Sequence, residues 1–218
     1  MKALALLVAL ACATPASALE PAIGRFLIAK PQVSGFFAAS VIVLVDHGEH
    51  GSLGLIVNRP TALPLAEVLP ELTERREPAF LGGPVAQDQL LLLVRGEPPP
   101  GSARVLDTVH VSGNRDTLKA LLAESGAKHE FRAYVGYAGW APRQLDGEIA
   151  RGDWLVANGD DASVFTRESG SLWDELFQKH RTIRVDVPGK FITLSAPWRS
   201  AAASSAFRTS GRARSSTR

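Results

Sequence analysis

The sequence predicts an α+β fold: a single domain of mainly antiparallel β-strands with interleaved helices. Three observations predict it. Residues 41–45, Val-Ile-Val-Leu-Val, have the composition of a strand covered on both faces. Short apolar segments divided by Gly, Pro, Asn and Asp recur along the chain. Amphipathic stretches with capping residues lie between those segments rather than in a block of their own.

The elements follow in order. Residues 25–29 form a short strand stopped by Pro31, and residues 41–45 form the next. Residues 53–57 are its antiparallel partner, across a loop containing Gly48 and Gly51. Residues 63–69 make a short helix ended near Pro70. Further strands are expected at 79–81, 90–94, 105–111 and 131–137. Asn114 caps a helix whose apolar face is Leu118, Leu121 and Leu122, with Gly126 just past its end. Pro142 opens a helix through Leu145 and Ile149, closed by Gly152. Ser171 and Asp174 start the helix of Leu172, Trp173, Leu176 and Phe177. Residues 183–194, interrupted by Pro188-Gly189, read as two short strands or a hairpin. No repeat or long linker divides residues 24–195, so they are read as one domain.

Both ends have their own character. Residues 1–18 combine Lys2, an apolar run from Ala3 to Ala13 and the small-x-small triplet Ala16-Ser17-Ala18, the pattern of a signal peptide cleaved before Leu19. That run spans about 16 Å as a helix, too short for a bilayer core of about 30 Å. Export to the periplasm or beyond is expected; a cytoplasmic protein with a misassigned start is the alternative. Residues 199–218 hold five arginines and no acid, and their Ser/Ala/Arg composition predicts a disordered tail able to touch polyanions. Without Lys2 and those arginines, 18 basic residues face 22 acidic ones over residues 19–198, a net charge of −4. A core of that sign opposes nucleic-acid binding.

Composition and motifs exclude several chemistries. Forty-five per cent hydrophobic and 21% charged residues describe a globular chain, not a collagen, a coiled coil or a multi-span membrane protein. The one cysteine, Cys12, lies in the targeting segment, which removes thiolate and disulfide chemistry from the mature protein. No nucleophile elbow, zincin motif or nucleotide-binding glycine loop occurs, and no cofactor is expected. Asp46-His47-Gly48-Glu49-His50 is the most metal-like cluster, but no partner has diagnostic spacing to complete a site, so it reads first as a polar turn. His110, His129 and His180 are isolated.

Gly35-Phe36-Phe37 with Ser40-Val41-Ile42, then Gly54-Leu55-Ile56-Val57-Asn58-Arg59-Pro60, Gly82-Gly83-Pro84-Val85 and Gly136-Tyr137-Ala138-Gly139-Trp140 occur in that order. With Gln144-Leu145, Glu148-Ile149 and Trp154-Leu155 they make residues 24–181 resemble the bacterial YqgE/AlgH family. The resemblance implies a compact α+β fold around a barrel-like mixed sheet and the family's description as a transcriptional regulator. It brings no catalytic residue. The targeting segment, residues 183–194 and the tail depart from the family pattern, and export opposes a transcriptional role.

Three functions follow. A non-catalytic binding or regulatory module, its partner an unidentified small molecule or protein, leads; a transcriptional regulator and a hydrolase or metal-dependent enzyme near His47 and His50 are the alternatives. A shallow ligand groove is expected from Asn58, Arg59, Gly82, Gly83, Tyr137 and Trp140, because each lies at or past a predicted strand end. Arg59 would hold a carboxylate or phosphate there. The structural alternative has Asn58 and Arg59 capping backbone carbonyls and Trp140 in the core. N-terminal sequencing of the protein from its native cell is expected to begin at Leu19; an intact Met1 in the cytoplasmic fraction refutes export.

Overall fold

The computed structural model describes residues 19–68, 78–123, 130–181, 183–187 and 190–194. Residues 1–18, the Arg-rich tail, Pro70, Gly126, His129 and Pro188-Gly189 lie outside the described residues. Strands β1 (Arg25–Ala29), β2 (Val41–Gly48), β3 (Gly51–Ile56), β4 (Pro60–Pro64), β5 (Pro78–Leu81), β6 (Val85–Arg95), β7 (Ala103–Arg104), β8 (Val109–Ser112), β9 (Glu130–Trp140) and β10 (Trp154–Asn158) form one sheet. Helices α1 (Leu65–Val68), α2 (Arg115–Ala123), α3 (Gln144–Ala150), α4 (Asp161–Val164) and α5 (Leu172–Arg181) are interleaved with them. The sheet runs β10-β1-β2-β3-β9-β6-β8-β7, with β5 joining β9 in parallel and carrying β4. All other pairings are antiparallel. The expected union of 41–45 with 53–57 is the β2–β3 hairpin, Val43 opposite Leu55.

The sheet curls into a half-barrel. Phe26, Ile28, Val43, Leu55, Leu93 and Tyr134 share one enclosed cluster, covered by Phe165 and by Leu172, Leu176 and Phe177 of α5. Alternation sends Leu27, Ile42, Leu44 and Ile56 to the opposite face, where Trp140, Trp154 and Leu145 of α3 cover them. Residues 41–45 are continuously apolar because both faces of β2 are buried. A third cluster puts Leu118 and Leu121 of α2 on Leu92, Val94 and Ala133.

One strand serves both halves of the sheet. Residues 130–135 and Tyr137 of β9 pair with β6, and Tyr134 and Val135 also meet β5, whereas residues 138–140 pair with β3. The change from β5 to β3 falls at Gly136, whose φ of +66° belongs to the left-handed region. Gly83 passes so close that a Cβ there would sit 2.0 Å from the Tyr137 carbonyl carbon; at Gly82 it would sit 2.2 Å from the Gly136 carbonyl oxygen. The strand expected over 131–137 therefore continues through Gly136 to Trp140. α3 begins only at Gln144.

Other expectations change for local reasons. The strand expected over 105–111 is broken, because the Val105 and Leu106 N–H groups both donate to the Val109 carbonyl and reverse the chain. The helix expected over 63–69 starts at Leu65, since β5 draws the preceding residues into β4. Asp160-Asp161 opens α4: the Asp160 carboxylate accepts from the Ser163 N–H at 2.8 Å. The described residues from Arg181 onward belong to a unit of their own, in which β11 (Ile183–Val187) and β12 (Lys190–Leu194) pair antiparallel, as the reading of two short strands or a hairpin expects.

Gly83→Ala is expected to cost about 3 kcal/mol or to abolish folding, because backbone, not a mobile side chain, occupies the space. Gly48→Ala, with nothing within 4 Å, should change stability by less than about 1 kcal/mol. Urea denaturation of the two variants checks the contrast.

Candidate functional site

Asn58 and Arg59 follow β3 and face the loop that joins β1 to β2. The buried Asn58 side chain accepts from the Val41 N–H and donates to the Ala39 carbonyl, each at 2.9 Å. Arg59 donates to the carbonyls of Phe36 and, at 2.8 Å, Ala38, and its guanidinium lies 5.3 Å from the Phe36 ring centroid. Both polar side chains thus stand in for a strand that the loop does not have. They hold Ala39 in the left-handed region at φ +51°, a conformation that a non-glycine residue adopts only at a cost.

The aromatic residues beside this loop form a second device. Phe37 stacks on Trp140 at 6.3 Å and meets Trp154 edge-on at 5.9 Å. Trp140 and Trp154 are themselves edge-to-face. Glu148 Oε2 accepts from both indole N–H groups, at 2.9 and 2.8 Å, while Oε1 accepts from Gln144. One carboxylate therefore satisfies two nearly buried donors. Nothing in the spacing of Trp140, Glu148 and Trp154 announces this from sequence.

The residues expected in a common groove divide between locations. Asn58 and Arg59 bind the 36–41 loop, Gly82 and Gly83 admit β9, Tyr137 packs toward the enclosed cluster and Trp140 toward the opposite one. Tyr137 and Trp140 are three apart on one strand, so alternation sends them to opposite faces. His47 sits in β2 with Nδ1 2.8 Å from the Ser52 hydroxyl, while His50 lies in the adjoining turn. Among the described residues no three metal-binding side chains converge. His110 is buried with Nδ1 lacking a partner among the described residues, as does the fully buried Tyr134 hydroxyl. Burial pushes the ionisation of Tyr134 far up, outweighing the nearby Arg132 charge.

A ligand-sized recess lies elsewhere, between β6 and α2. Its volume is about 300 Å³. Leu90, Leu92, Leu118 and Val135 supply its apolar lining; Gln87, Gln89, Asn114 and Asp88 supply its polar groups. β6 makes this possible by bulging: from Val85 to Leu90 it advances five residues while β9 advances two. Ala86 at φ +47° starts the bulge, and Gln87, Asp88 and Gln89 are exposed. Sequence reasoning placed a strand at 90–94 and missed this polar extension, since Ala86-Gln87-Asp88-Gln89 lacks strand-forming residues. Asn114 was legible, as a cap: its Oδ1 accepts from the Asp116 N–H at 2.8 Å.

Together these features define the class, an α+β half-barrel with a clamped loop and a carboxylate-bridged tryptophan pair. Residues 26–183 match the model of the AlgH-like family, and the chain belongs to that family. It is 40% identical over 160 residues to a UPF0301 protein of Methylococcus capsulatus, covering 70% of this chain and 87% of the relative. A UPF0301 protein of Chlorobium luteolum is 34% identical over 166 residues, covering 75% and 85% respectively. Among solved structures, the solution structure of AlgH from Pseudomonas aeruginosa aligns with a TM-score of 0.60 and 31% identity, over 72% of this chain and 87% of that one. A crystal structure of a Corynebacterium diphtheriae protein aligns with a TM-score of 0.63 and 25% identity, over 75% and 89%.

Glu148→Ala strands two indole donors and is expected to lower the unfolding free energy by about 2–4 kcal/mol, whereas Glu148→Gln, which keeps an acceptor, should cost less. Urea titration of the two variants checks the order.

Proposed function

We propose that this protein is a non-catalytic binding or regulatory module whose ligand seats in the recess between β6 and α2. The observation that carries the reading is the make-up of that recess: a leucine-rich lining and a carboxamide rim in a volume of about 300 Å³. Carboxamides donate and accept hydrogen bonds without titrating near neutral pH, which suits recognition and orientation. Asn58, Arg59, Glu148 and the paired glycines serve the fold's own backbone and indoles, which favours this reading over a site in the signature residues. Export supports a role outside the cytoplasm, and the n-region, apolar run and Ala16-Ser17-Ala18 carry that part.

A fragment library screened against the full chain by NMR tests the reading. Hits are expected to shift resonances of residues 87–92 and 113–118, and Leu90→Trp, which fills the recess, should weaken them about tenfold or more. Hits that all map elsewhere, or that bind Leu90→Trp equally, overturn it.

A further inference from the structure

We infer that the recess is a docking cleft for an extended peptide of a partner protein, which adds as a strand to the free edge of β6. This deepens the binding-module reading and rests on it. β8 pairs with β6 only from Leu92 to Arg95. Beyond Ser112 the chain turns away: the Asn114 N–H donates to the Ser112 hydroxyl at 3.2 Å, and the buried Ser112 and Thr117 hydroxyls lie 3.0 Å apart. Had β8 continued, its next residues would have faced Leu91 and Leu90. Instead, among the described residues, 87–91 of β6 have no strand on that side. Residues 86–89 are also out of register with β9.

An unpaired edge beside a helix, with a cavity between them, is the geometry of strand addition. The open edge comprises Leu90 and Leu91, in register with β9, and the bulged residues 87–89 before them, enough to engage a short linear segment. Running antiparallel to β6 in the line of β8, such a segment would direct alternate side chains onto Leu90, Leu92, Leu118 and Val135. Gln87, Gln89 and Asn114 can bond its polar groups, and Asp88, the one charged lining residue among the described residues, favours a basic side chain at that end. A second copy is a poor occupant, because its own α2 flanks the same edge of its own β6.

The test pans random linear dodecamers displayed on phage against the full chain, then measures the most enriched synthetic peptide by fluorescence polarisation and amide hydrogen exchange. Enriched sequences should alternate apolar residues and carry a basic one. The peptide should slow exchange at residues 87–91 about tenfold or more in the unmodified protein, and Leu90→Pro, which removes the N–H that follows Gly96, Val94 and Leu92 on the β8 side of β6, should weaken binding about tenfold. Because the exchange measurement uses the unmodified protein, it decides the matter even where Leu90→Pro does not fold. Absence of enrichment, or protection confined to another surface, overturns the inference. Fragments that seat in the recess when no peptide is enriched leave the binding module standing and remove only the peptide.

Discussion

The architecture depends on β9 bending at Gly136. Along one edge β9 pairs with β6 on both sides of that glycine, while along the other its neighbour changes from β5 to β3. A left-handed residue makes that change in one step, and Gly82 and Gly83 let the connection from β5 to β6 pass against the bend. Without this crossing the β1–β2–β3 ladder and the β6–β8 ladder would be separate sheets, each with an apolar face open to water. The crossing lets one cluster, from Phe26 to Phe177, draw on both. Burial of that shared face is the main stabilising term, and it is available only once the bend is made.

Where backbone ladders end, charged side chains complete the enclosure. The Thr108 N–H and hydroxyl donate to the Asp161 carboxylate, and Arg95 donates to the Asp161 carbonyl. Arg132 donates to the carbonyls of Val164 and Thr166. The Phe165 ring lies 4.5 Å from the Arg95 guanidinium and 5.7 Å from that of Arg132. Hydrogen bonds from charged donors are worth more than neutral ones, about 1.5–3 kcal/mol each, so a few can hold a segment that has no ladder. Asn58 and Arg59 apply the same solution to the 36–41 loop.

The passages that carry the family resemblance therefore have architectural tasks. The 35–41 loop and Asn58-Arg59 are two halves of one clamp, while Gly82-Gly83 and Gly136 are two sides of one crossing. Trp140, Glu148 and Trp154 make one hydrogen-bonded unit. The recess proposed for recognition uses other residues, on an edge that the fold leaves unpaired. A scaffold maintained by one set of residues leaves the rim of such a site free to vary with the ligand.

Much was legible because its cause is local. The β-branched run at 41–45 determined a doubly covered strand, and the Gly-containing loop after it determined its pairing with 53–57. Asn114 determined the start of α2 through its own side chain. The tertiary structure decided the rest. It alone put Tyr137 and Trp140 on opposite faces, turned 105–108 back on itself, and joined Trp140 to Trp154 through Glu148. Propensity, periodicity and capping act over a few residues, so they can be read along the chain. Asn58 meets the loop 17 to 19 residues before it, and Arg132 holds carbonyls more than 30 residues after it. Such contacts exist only after the sheet has curled, when residues that do not signal one another in sequence are forced to share hydrogen bonds in the same dry space.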